Sequence, residues 1–212
     1  MKKYLLLAIP IIYWRNSILY FESEAIINLI VVLTCLFYLL RITVIKNLTD
    51  WIISVLFFGY FCILFNRTVF FRGFTLLGDH DLTIEYIYNV FYTTNFIPLK
   101  SILVQLQASL LYQIIGNTIM LAPFSFSMLY FKWTKNYKKT FWYSLLITIG
   151  IEFIQFVENV IYRLFQIGMN RSTDIDDIIL NTFGACIGMV CYYLWNKIEH
   201  KYIRKDSWMN VR

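Results

Sequence analysis

The chain alternates long uncharged runs with short charged breaks. Residues 4–14, 25–40, 51–66, 101–131, 140–151 and 178–195 carry no Asp, Glu, Lys or Arg. About 20 residues of helix cross the hydrocarbon core of a bilayer. Extending each run to its polar flanks predicts membrane helices near 4–21, 25–44, 50–66, 110–131, 140–159 and 177–195. The run 101–131 is too long for one straight span. Its first part, Ser101 to Ser109, carries Gln105 and Gln107 and is expected to lie along the interface. The fold class expected is therefore an all-α polytopic integral membrane protein with about six transmembrane helices.

Composition agrees. Of 212 residues 59% are hydrophobic and only 15% charged, and mean hydropathy is +0.59. These values belong to membrane proteins and leave no room for a separate soluble domain. Cys35, Cys62, Cys186 and Cys191 all fall inside apolar runs. They read as small hydrophobes in helices, not as disulfides or a zinc site. Lys2 and Lys3 before the run 4–14 imitate a signal sequence, but Arg15, Asn16 and Ser17 follow where a small-x-small cleavage site would stand. The first helix is expected to be retained, as a span or as an interfacial helix.

Charge sets the orientation. Lys132, Lys135, Lys138 and Lys139 sit between the fourth and fifth helices with no acid among them, and Lys197, Lys201, Arg204, Lys205 and Arg212 follow the sixth. Cytoplasmic loops collect Lys and Arg, so both segments and both termini are expected to be cytoplasmic. The organisation expected is then 1–66 as about three N-terminal helices, 67–109 as an external segment, 110–195 as core helices and 196–212 as a basic cytoplasmic tail. Nothing in the pattern suggests a nucleic-acid partner. The oligomeric state is not encoded in any feature of the sequence.

Residues 171–188 hold the densest polar cluster beside a membrane-length run. At about 100° per residue, Asp177, Asn181, Gly184 and Gly188 share one stripe of the sixth helix. The Gly184-x-x-x-Gly188 spacing removes side chains so that another backbone can come close. On the fifth helix Glu152, Gln155 and Asn159 share a stripe, about 5 to 12 Å below the outer surface at 1.5 Å per residue, while Glu158 points elsewhere. On the fourth helix Asn117 lies about two turns from the outer end, and Pro123, deeper, is expected to kink it. Asn117, Glu152, Gln155 and Asn181 thus come to one level, with Arg171, Asp174, Asp176 and Asp177 just above. The inference is one polar pocket opening to the outer face, since charges beside lipid are costly and tend to mark function.

Plainer roles fit the same residues. Thr173-x-x-Asp176 matches a capping box, Arg171 could neutralise Glu152, and Asn117 and Asn181 could be interhelical hydrogen-bonding pairs. Asp79-His80-Asp81 offers metal-ligand residue types but follows Gly78 in a polar stretch and reads as a turn; no metal or cofactor is assigned. Arg15 reads as a snorkelling side chain.

Four blocks together resemble the VanZ-like family of bacterial membrane proteins: Asn95-Phe96-Ile97-Pro98, Asn117 through Pro123-Phe124, Glu152-Phe153-Ile154-Gln155, and Arg171 through Gly184. The resemblance covers roughly residues 90–195. Pro123-Phe124-Ser125 departs from the Pro-Leu-Gly common in the family. The resemblance implies reduced susceptibility to glycopeptide antibiotics, notably teicoplanin-type lipoglycopeptides, exerted in the cell envelope. It implies as partners membrane lipids and a lipid-linked cell-wall precursor or the lipoglycopeptide itself. The pocket residues suit three classes of activity. In the first, preferred because no nucleophile–base pair is evident, a non-enzymatic protein binds or alters a lipid-linked component. In the second, a metal-dependent enzyme uses Asp174, Asp176 and Asp177 on a lipid-linked phosphate. In the third, a proton-coupled lipid or drug transporter uses Glu152.

Overall fold

The computed structural model describes residues 2–71, 89–92, 94–165 and 172–209. Arg171 and Asp79-His80-Asp81 lie outside the described residues. About 81% of the chain is helical, and four helices are long and apolar enough to cross a membrane. They are α3 (Ser23–Ile42), α4 (Leu48–Thr68), α9 (Tyr137–Leu164) and the Ile175–Glu199 part of α10 (Ile175–Met209). The protein is an all-α membrane protein.

The other two expected helices form in pieces. The first is a 3-10 stretch Lys2–Leu7, then α1 (Ala8–Tyr13) and α2 (Arg15–Leu19). This segment runs antiparallel to α3 and beside α4. At one end the Lys3 ammonium donates to the Leu40 and Thr43 carbonyls (2.6 and 2.8 Å), a cation on the C-terminal carbonyls of α3. At the other end the Tyr13 hydroxyl accepts from Asn66, near the end of α4. Leu6 and Trp14 are its buried anchors in a core with Val32, Leu36, Leu40, Phe57 and Phe58.

The fourth is broken at Leu121 into α7 (Leu111–Met120) and α8 (Ala122–Tyr130), with Pro123 in the first turn of α8. Proline brings no N–H and crowds the preceding turn. A break inside a membrane survives when neighbours satisfy the freed groups. Here the Tyr60 hydroxyl of α4 donates to the Met120 carbonyl at 2.6 Å, and Leu121 itself is fully buried. The segment 101–109 forms a separate helix, α6 (Lys100–Gln107).

The turns follow local chemistry. Asn47 and Asp50 form a reciprocal capping box that starts α4. The Asn136 side chain accepts the Lys139 N–H to start α9. The basic segment from 196 onward continues α10 without a break through Lys197 to Met209.

Helix α10 is the spine, packing on α7, α8 and α9. A Cβ on Gly184 would lie 1.8 Å from the Thr118 carbonyl oxygen, and one on Gly188 would lie 2.0 Å from that of Ala122. Only glycine admits such approach. The Ser125 hydroxyl then reaches across to the Ala185 carbonyl at 2.8 Å. Beside this contact Leu64, Leu121 and Ala185 pack into a small dry cluster between α4, α8 and α10.

Candidate functional site

At the end where α10 begins, the polar residues divide into two groups. The first is a latch. Thr94–Asn95 (β1) pairs in parallel with Thr173–Asp174 (β2). Asp174 is the N-cap of α10: its Oδ1 accepts the Asp176 N–H at 2.9 Å and the Asn95 amide at 2.8 Å. The Asn95 Oδ1 accepts the Ile97 N–H at 3.1 Å, which folds Asn95-Phe96-Ile97-Pro98 into a tight turn.

Asp176 is fully committed elsewhere. One carboxylate oxygen accepts the Leu99 N–H at 2.5 Å, and the other accepts Ser101 and Ile102 N–H at 2.8 and 3.1 Å. Asp176 therefore caps α6, a different helix, and not its own. The expected Thr173–Asp176 capping box does not form, because the orphan N–H groups of α6 claim both oxygens and Asp174 takes the cap of α10. Leu99 holds a left-handed backbone (φ 67°), a conformation costly for a non-glycine residue and sustained here by the Asp176 contact.

The second group is a pocket of about 340 Å³. It is lined by Arg67 and Thr68 from the end of α4, Asn117 and Met120 from α7, Glu152 and Gln155 from α9, Ser172, and Asp177 and Asn181 from α10. The Asn117 amide donates to the Asp177 carboxylate. Gln155 donates to the Thr68 carbonyl at 3.1 Å, completing the C-terminus of α4. Glu152, 4% exposed, accepts the Asp174 N–H at 3.1 Å and so joins latch to pocket. Asn181 is fully buried, and neither its amide nitrogen nor its carbonyl oxygen has a protein partner.

The structure thus brings Asn117, Glu152, Gln155, Asp177 and Asn181 around one space. It leaves Asn95, Asp174 and Asp176 out of the lining, because their oxygens and amides are used to hold the β1–α6 segment against α10. Asn159 and Glu158 are buried farther along α9 and do not line the pocket. Among the described residues no three His, Cys, Asp or Glu side chains gather as a metal-binding group. Sequence reasoning missed Arg67 and Thr68 by ending the third helix at 66. The signal was there: Arg67 is the cation of the last turn of α4 and lines the same space as Glu152.

A family model described as VanZ/LLP1 matches residues 57–196. The chain belongs to the VanZ/LLP1 family. The match begins inside α4, earlier than the resemblance over 90–195 suggested, and takes in every residue that lines the pocket. The N-terminal pieces and α3 fall outside it. No curated protein and no solved structure matches the chain. Within the VanZ/LLP1 region the polar pocket, the latch above it and the glycine contact below it are therefore parts of one matched unit.

Proposed function

We propose that this VanZ-family protein works at the outer face of the bacterial cytoplasmic membrane. There it lowers susceptibility to glycopeptide antibiotics by holding the polar head of a lipid-linked envelope component. Six crossings and cytoplasmic termini follow if the N-terminal pieces and the α7–α8 pair each traverse the bilayer. The Lys-rich segments after α8 and along the end of α10 support that orientation.

The observation that carries the reading is Asn181. A buried amide with nothing to bond costs about 1 to 3 kcal/mol. Evolution tolerates such a group where a ligand supplies the missing partner. An amide donor and acceptor beside the Asn117–Asp177 pair, Glu152 and Arg67 suits a head bearing hydroxyl or amide groups. The three-carboxylate cation site of the enzymatic alternative loses support, because Asp176 spends both oxygens and Asp174 its Oδ1 on N–H groups, and of the three only Asp177 lines the pocket.

The test is teicoplanin susceptibility of a host expressing wild type, Glu152→Gln, Asp177→Asn or Asn181→Leu at matched membrane abundance. Protection is expected to fall in all three variants. Full protection by every variant would remove the pocket from the mechanism.

A further inference from the structure

A row of buried polar side chains leads from the pocket down α9. Thr140, Ser144, Thr148 and Glu152 follow one another at steps of four, the spacing of neighbours along a helix surface. Thr140, Ser144 and Thr148 are fully buried, and Glu152 nearly so. The row spans about 18 Å at 1.5 Å per residue, more than half of a hydrocarbon core of about 30 Å. One end reaches the surface. There the Thr140 hydroxyl donates to the carbonyl of exposed Asn136 at 3.1 Å and shares a 2.6 Å bond with the Thr134 hydroxyl. The other end is the pocket, where Glu152 shares the space with Arg67 of α4 and Asp177 of α10, and with uncharged Asn117 and Met120 of α7.

The middle of the row differs from the other helical hydroxyls. A helical Thr or Ser commonly turns its hydroxyl onto the carbonyl four residues back. Thr34, Thr43, Thr68 and Thr140 do so here, at 2.6 to 3.1 Å. Ser144 and Thr148 do not, and neither hydroxyl has a protein partner. Helices α8 and α10 pack on this part of the bundle. The antiparallel register of α10 on α9 is fixed at both ends, by the Tyr137–Tyr192 ring contact and by the Asp174 N–H on Glu152. Between them Thr148 lies at about the level of Asn181, which is likewise unpartnered, and Ser144 at about the level of Ala185. Unpartnered polar groups therefore continue below the pocket toward the start of α9.

We infer that this row is a proton path between the α8–α9 loop and Glu152. Positions four residues apart are separated by about 6 Å along the helix, a gap that one water closes with two bonds of about 2.8 Å. Buried polar groups without protein partners are where such waters sit. A hydroxyl both donates and accepts, so it takes a proton from the water on one side and passes its own to the water on the other. It is left neutral. The Glu152 carboxylate receives the proton and becomes a neutral acid; on releasing it to water in the pocket it is a carboxylate again. Each proton thus changes the charge beside Arg67 and Asp177 by one. The α8–α9 loop is the Lys-rich one, so the orientation proposed above makes the source cytoplasmic. The path itself depends neither on that orientation nor on the ligand of the pocket.

Proton flux is the readout, and it is separate from teicoplanin protection. The purified full chain is reconstituted in phosphatidylcholine vesicles that hold a pH-sensitive dye, and a potassium gradient with valinomycin drives protons inward. Wild type is expected to acidify the lumen faster than protein-free vesicles do. Thr148→Val keeps the shape and deletes the hydroxyl, and is expected to return the flux to the protein-free rate. Ser144→Ala breaks the row a second time, and Glu152→Gln removes its acceptor; both are expected to do the same. Thr148→Ser, which keeps a hydroxyl, and Thr34→Val, which removes one outside the row, are expected to conduct like wild type. Melting temperatures of Thr148→Val and Thr148→Ser, expected to be equal, separate a broken row from a lost fold. Wild-type flux no greater than that of protein-free vesicles, or full flux in Thr148→Val and Ser144→Ala, would overturn the proposal.

Discussion

The Asp176 carboxylate accepts the Leu99 N–H at 2.5 Å across 77 positions of sequence. With Ser101 and Ile102 it closes three orphan donors of α6. Bonds to a charged acceptor each contribute about 1.5 to 3 kcal/mol. Asp176→Ala is therefore expected to be the most destabilising change among the three neighbouring acids. Asp176→Asn, which retains one acceptor oxygen, is expected to lose less. Thermal unfolding of the purified protein in detergent micelles measures both. An Asp176→Ala variant as stable as wild type would show that α6 is held by something else.

The glycine contact makes a prediction with built-in controls. Gly184→Ala and Gly188→Ala force a methyl into the Thr118 and Ala122 carbonyls, so α10 must move away from α7 and α8. Gly116 and Gly150 have nothing within 4 Å of a built Cβ. At those two positions alanine gains helix propensity, about 1 kcal/mol. Melting temperatures should fall for the first pair and hold or rise for the second. Equal effects in both pairs would mean that the close approach does not limit stability.

Asn181 separates stability from function. Replacing it by leucine removes two unpartnered buried atoms and keeps the volume. Such a change is expected to be neutral or to stabilise by about 1 to 3 kcal/mol. The same variant should lose protection against teicoplanin. Measured together, unfolding and susceptibility should move in opposite directions. A destabilised Asn181→Leu would instead indicate that the amide is satisfied inside the folded protein.

Tyr60 supports the break between α7 and α8. Tyr60→Phe deletes the donor to Met120 and nothing else of its shape. A loss of about 1 kcal/mol is expected, more if the Met120 carbonyl finds no substitute. In Pro123→Ala the α8 backbone regains an N–H, so the Tyr60→Phe penalty should shrink in the double variant. A double-mutant cycle on unfolding midpoints reads this coupling, and strict additivity would place Tyr60 outside the break.

Much of this architecture is legible in the sequence. Helix spacing places Asp177, Asn181, Gly184 and Gly188 on one stripe, and the charge-free runs locate α3 and α4 to within a few residues and the starts of α9 and α10, whose far ends run on past the runs. Periodicity reports which side of a helix a residue occupies. It does not report what that side meets. Asp176 and Asp177 differ by one step of about 100°. That single step sends Asp177 toward Asn117 and Asp176 toward the amides of α6, and nothing local in Asp-Ile-Asp-Asp foretells the second partner. The pieces of the N-terminal segment are equally hidden, because their geometry depends on packing against α3 and α4 and not on their own apolar run. Arg67 escapes because α4 runs two residues past its last uncharged position, to Thr68.

The latch and the pocket both take essential groups from the start of α10, while their partners Asn95, Leu99, Asn117 and Glu152 belong to earlier segments. During synthesis, then, a ribosome delivers Glu152 into the bilayer before Asp174 exists to meet it. Until the last helix inserts, the nascent chain carries a carboxylate that lacks its Asp174 donor, and an unfastened α6. A chain stopped before residue 174 would therefore lack the carboxylates of Asp174 and Asp176 that fasten Asn95 and the start of α6.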